Sequence, residues 1–195
     1  YLVKGSVPVY LDNIEVYKDV YLYPQASAVY NPADNKIVIS GWNNTLQSIS
    51  DAIGDESLFI YYPANKTAYT NVNLMLDKGS KLSIENEKLY FNSSASNRLH
   101  FRVKNNAHLI IQNSTIGNSV DGEYFSWAFT GRVYDDTDGF GKDIECDGGG
   151  RTGKDYYAYR GKLIIQNSTI SDFSNFDFGD AWYLKLKNVV FNNIY

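Results

Sequence analysis

The octet Leu-Ile-Ile-Gln-Asn-Ser-Thr-Ile occurs twice in the chain, at Leu109–Ile116 and at Leu163–Ile170, identical at every position. Identity of this length within one chain marks a repeated unit, one that buries its apolar side only by stacking on its neighbours. Looser copies keep the spacing on both sides: Leu82, Ile84, Asn86 and Leu89 before, Leu184, Leu186, Asn188 and Phe191 after. The unit is apolar, any, apolar, any, Asn, any, any, apolar. Its starts, at 82, 109, 163 and 184, are 27, 54 and 21 residues apart.

Period-two alternation means strand. Six residues ahead of each leading Leu stand Leu76, Val103, Tyr157 and Phe178, and two further back Leu74, Phe101, Asp155 and Phe176. Each unit then reads as a strand such as Phe101–Val103, a polar turn 104–107, a second strand Leu109–Ile111, a corner at Asn113 and a third strand near Ile116. No Asn-Gly or Asp-Gly pair separates these strands, which disfavours tight hairpins and favours stacked coils.

These residues resemble the right-handed parallel β-helix of pectate-lyase-like proteins. The resemblance implies an all-β solenoid over residues 57–195, with Asn86, Asn113, Asn167 and Asn188 as inward corner residues whose amides form a ladder from coil to coil. Ahead of it, Asn44 or Thr45 can cap a short helix with Leu46, Ile49 and Ile53 on one face and Gly54 at its end, a capping segment over 43–56. Residues 1–42 read as an N-terminal strand arm. The whole is one domain, since no Pro- or Ser-rich linker divides it.

The 54-residue spacing implies about thirty extra residues, an insertion at about 117–156. It is acidic and rich in glycine. Asp136, Asp138, Asp143, Glu145 and Asp147 are the candidate ligands of a structural Ca²⁺, because alternating carboxylates beside glycine suit a hard cation. A solvated acidic loop is the competing reading. Cys146 stands alone, so no intrachain disulfide forms.

A net charge of −4 without a Lys/Arg cluster argues against nucleic acid, and no apolar run is long enough to span a membrane. The chain opens on Tyr1, which fits processing or a cut boundary, and five sequons fit secretion. Asn113 and Asn167 carry sequons as by-products of the repeat; Asn43, Asn65 and Asn92 are the candidate glycosylation acceptors.

Three functional classes stand. Catalysis on a polysaccharide needs paired carboxylates, or Ca²⁺ with a base. The outward positions of the first strands give instead Asn73, Met75 and Asp77, then His100, Arg102 and Lys104, then Tyr156, then Asn175 and Asp177. Glycan binding is favoured by the aromatics Tyr124, Phe125, Trp127, Phe129, Tyr156, Tyr157 and Tyr159. Assembly with copies of itself is favoured by Ile110 and Ile164, outward and one above the other, and by an uncapped final register ending at Ile194 and Tyr195. Similar Asn-rich repeats in archaeal cell-surface proteins imply an extracellular, non-catalytic structural subunit of a filament, sheath, tube or surface layer.

Overall fold

A computed structural model describes residues 25–104, 107–129, 134–135, 142–143, 161–177 and 181–195. These residues are mostly β-strand, with one helix among them, and thirteen of their strands join in a single curled, mixed sheet that forms a half-barrel. No helix among the described residues is long and apolar enough to cross a membrane.

The chain enters through the antiparallel pair β1 (Ser27–Asn31) and β2 (Lys36–Ser40). β2 then pairs in parallel with β5 (Asn73–Leu76), so residues 27–40 belong to the body rather than to a separate arm. Helix α1 (Leu46–Ile53) follows. Thr45 is its N-cap, accepting from the Ser48 amide while the Ser48 hydroxyl accepts from Thr45 N–H. Gly54, at φ 64°, closes it in the left-handed region. Leu46 and Ile49 are fully buried beneath it. Asn44, the other expected cap, is instead a buried clamp whose amide donates to the carbonyls of Ser40, Gly41 and Lys81.

A second antiparallel pair, β3 (Phe59–Tyr62) with β4 (Thr67–Thr70), makes the sheet mixed. Beyond it the pairing is parallel in three rows. The first runs β2, β5, β8 (His100–Val103), β11 (Phe125–Phe129) and the end of β14 (Gly161–Asp177). The second runs β6 (Lys81–Glu85), β9 (His108–Gln112), the start of β14 and β15 (Ala181–Ile194). The third runs β4, β7 (Lys88–Phe91), β10 (Thr115–Asn118), the middle of β14 and β15. Two two-residue strands, β12 (Tyr134–Asp135) and β13 (Lys142–Asp143), pair with each other alone.

The octets lie in register, Leu163 on Leu109 and Ile165 on Ile111, with Leu82 and Ile84 on one side and Leu184 and Leu186 on the other. Their inward columns, joined by Phe91, Phe101, Phe125, Trp127 and Phe173, form one core. One expectation about register fails. The partners of Phe101 and Val103 are Trp127 and Phe129, not Asp155 and Tyr157. Lys162 N–H donates to the Ala107 carbonyl, so the extra residues lie between the first and second strands of a unit, after Phe129 instead of from Gly117.

Candidate functional site: corner ladders, outward rows and the uncovered rung

Asn86, Asn113, Asn167 and Asn188 all sit in the left-handed region, with φ between 49° and 57°. A residue with Cβ is strained there, and Asn is among the few that tolerate it. Their amides form one continuous ladder: Asn113 donates to Asn86 at 3.2 Å, Asn167 to Asn113 at 3.1 Å and Asn188 to Asn167 at 3.0 Å. The ladder is exposed, which corrects the expected inward position. A left-handed corner turns its own side chain outward and the next one inward. The inward polar residue is therefore the octet's Ser: buried Ser114 donates to the Gln112 carbonyl at 2.6 Å and accepts from Glu87 N–H at 3.2 Å. Ser168 repeats this on Gln166 at 2.7 Å and Ser114 N–H at 3.1 Å. A further outer contact joins Asn193 to Asp172 at 2.7 Å, both again left-handed.

Of the candidate acceptors, Asn65 is exposed in the β3–β4 turn, and Asn43 is exposed at φ 63°. Asn92 is half-buried and engaged: it donates to Asn71 at 2.6 Å and accepts from the Ser119 hydroxyl. Of the five candidate calcium ligands, Asp136, Asp138, Glu145 and Asp147 lie outside the described residues, as does Cys146. Asp143 is described only by its backbone, paired with Tyr134. No group of metal ligands occurs among the described residues.

The outward residues of the first row of strands are engaged in structural contacts. Asp77 lies 3.8 Å from Lys104, His100 N–H donates to Asn73 Oδ1 at 2.9 Å, and Met75 is buried. Burial, then Arg102 and Arg98, hold His100 below the usual imidazole value. Burial, then Lys162 and Lys81, do the same to His108. A lowered imidazole pKa means the unfolded chain takes up protons first on acidification. This stability is complete above the unfolded value, about 6.5, and is lost as pH falls through the folded one. The Glu87 carboxyl acts in the opposite sense. Burial raises it, and it accepts from the Tyr61 hydroxyl at 2.8 Å, whose own pKa is pushed up to about 12. Its contribution is present at low pH and lost as pH rises through its folded value. The melting temperature of a His100→Asn, His108→Gln double variant should therefore depend less on pH between about 7 and 5 than that of the parent. Parallel slopes for the two proteins would remove both imidazoles from the acid response.

The last rung is the least covered apolar surface. Leu163 and Ile165 are fully buried, whereas their register mates Leu184 and Leu186 are 43% and 42% exposed. Val190 and Ile194 are more exposed still, at 51% and 61%. The expected assembly residues thus fall in two places. Ile110 and Ile164 are stacked in register and half-buried on the outward face of the second row of strands. Ile194 and Tyr195 end the rung, and Tyr195 already stacks on Tyr124 with centroids 4.8 Å apart. Sequence reasoning missed what Tyr124 does next. The Arg98 guanidinium lies 3.5 Å from its ring centroid, donates to the Tyr124 carbonyl and pairs with Glu123 at 3.4 Å. No spacing rule links Arg98, Tyr124 and Tyr195.

Comparison with protein-family models, curated proteins and solved structures gives no match to the chain.

Proposed function

We propose that this chain is a parallel β-helix subunit of an extracellular structural assembly, joined to a second copy through the edge of β15 opposite β14. The observation that carries the reading is the continuation of the buried Leu and Ile columns onto the half-exposed Leu184 and Leu186. These residues occupy inward register yet have no rung over them among the described residues. A strand edge backed by apolar side chains accepts another strand, because pairing satisfies the backbone and covers the apolar rung together. The opposite end offers partners. There β1 and β3 present their outer edges beside α1, with Val29 and Tyr62 exposed. Contact between unlike ends is heterologous, and where its rotation does not close into a ring it repeats into a filament or tube. Exposed sequons at Asn43 and Asn65 suit a secreted subunit.

Sedimentation velocity over a range of concentrations tests this. The parent chain should give species that grow with concentration, and negative-stain microscopy should show rods. Leu184→Lys with Leu186→Lys should stay monomeric and folded, melting somewhat below the parent because each leucine is still more than half covered on the isolated rung. A parent chain that remains one ideal monomer at high concentration would exclude the assembly.

A further inference from the structure

The outward face of the second row of strands collects charge that the linear sequence scatters. In register across its strands stand Lys81, His108, Lys162 and Tyr183; then Ser83, Ile110, Ile164 and Lys185; then Glu85, Gln112, Gln166 and Lys187. Four lysines and one glutamate share a face on a chain whose net charge is −4. Among the described residues the ion pairs join Lys36 to Asp34, Arg98 to Glu123 and Lys104 to Asp77, and none involves these four lysines. Neighbouring rungs of a sheet lie about 4.8 Å apart, so the ammonium groups reinforce one another's field. Burial first, and then the charges of Lys162 and Lys81 on either side, lower the imidazole of His108 within this row.

Two aromatic rings bracket the row. Lys81 Nζ lies 5.7 Å from the Trp42 ring centroid, and Trp42 meets His108 edge-on at 5.1 Å while its indole N–H donates to the Gly79 carbonyl at 3.0 Å. At the other end Lys162 Nζ lies 5.4 Å from the Tyr183 ring. Between them run the half-exposed Ile110–Ile164 strip and a Gln112–Gln166 side-chain bond of 3.2 Å. Point charges, flat rings and an apolar strip on one sheet face match one kind of chain. Sugar rings offer apolar C–H faces for the aromatics and isoleucines, amphipathic groups of the sort Tyr and Trp contact with little entropy loss. Their acidic substituents offer the counter-charge.

We propose that this face binds an anionic polysaccharide, carboxylated or sulfated, laid across Lys81, Lys162, Lys185 and Lys187 with its rings against Trp42, Tyr183 and the isoleucine strip. A nucleic acid fits less well. Its affinity comes from neutralising many phosphates, and four lysines on an acidic chain supply few such contacts. The face is separate from the axial edge of β15, so occupancy leaves the stacking surface open.

The test uses the full chain and calorimetric titration with heparin as the sulfated probe, polygalacturonate as the carboxylated one, and neutral dextran and single-stranded DNA as comparators. At least one acidic polysaccharide should bind, and which one does identifies the acid group. Binding should weaken as ionic strength passes about 0.15 M, where the screening length falls to about 8 Å. Lys162→Gln with Lys185→Gln and Lys187→Gln should lower affinity about tenfold or more while the melt and the sedimentation pattern stay unchanged. A bound polyanion should also raise the His108 pKa, read from its imidazole proton shifts. The proposal is overturned by absence of binding to both acidic probes at low salt, by undiminished affinity in the triple variant, by an unmoved His108, or by DNA binding as tight as the polysaccharide.

Discussion

Phe125→Ala should remove about 3–5 kcal/mol of stability, the largest single loss expected anywhere in the described chain. The ring is fully buried and lies face to face with Phe91, centroids 4.3 Å apart and planes within 9°. It also touches Trp127 and Phe173, each at 6.3 Å. Removing it takes away transfer energy and leaves a cavity that three large rings, held on different strands, cannot collapse to fill. Each lost aromatic pair adds about 0.5–1.5 kcal/mol beyond the area term. Phe125→Leu keeps most of the volume and should lose less than about half as much. Urea titration followed by tryptophan fluorescence reads both, with Trp127 as a neighbouring reporter. A loss below about 1 kcal/mol for alanine would mean that the stack does not hold the rungs together.

Asn113→Val should be the most damaging change at an exposed position. Solvent-facing substitutions ordinarily move stability by about half a kcal/mol. This one forces a β-branched residue into φ 50°, which costs about 1–2 kcal/mol. It also deletes both ladder bonds, to Asn86 and from Asn167, worth about 0.5–1.5 kcal/mol each. The sum is roughly 2–5 kcal/mol. Asn113→Gly separates the two contributions, because glycine adopts the corner freely yet carries no amide. Glycine should therefore fall between the parent and valine in thermal melting. Equal losses for glycine and valine would assign the whole effect to the amide ladder and none to the corner.

What the sequence made legible follows from what repeats. A period-two pattern with an invariant Asn is visible because each strand buries the same side and each corner needs the same backbone region, so strands such as Leu109–Ile111 and the ends of α1 emerge from local chemistry. The direction in which Asn113 points does not emerge. A left-handed residue inverts the in-and-out count at that position, so the inward polar duty passes to Ser114, which sequence reading took for part of a sequon. Trp127 and Phe129 were hidden differently. A fixed offset from Leu163 lands on Asp155 and Tyr157, because the register assumed a constant length for the one turn that carries the extra residues. The lysine face was invisible for a third reason. Lys81 and Lys162 are far apart in sequence and belong to one row only after stacking.

The asparagine ladder has a direction. Each side chain gives its nitrogen to the rung before and its oxygen to the rung after, so among the described residues the last acceptor of the row is the Asn188 Oδ1. Aligned amide dipoles strengthen that terminal oxygen as an acceptor. An incoming rung that brings an N–H to this point extends the row, while one arriving reversed brings a second oxygen and must rotate its amide. A single column of small side chains thus tells one end of the molecule from the other and sets the polarity of whatever is built upon it.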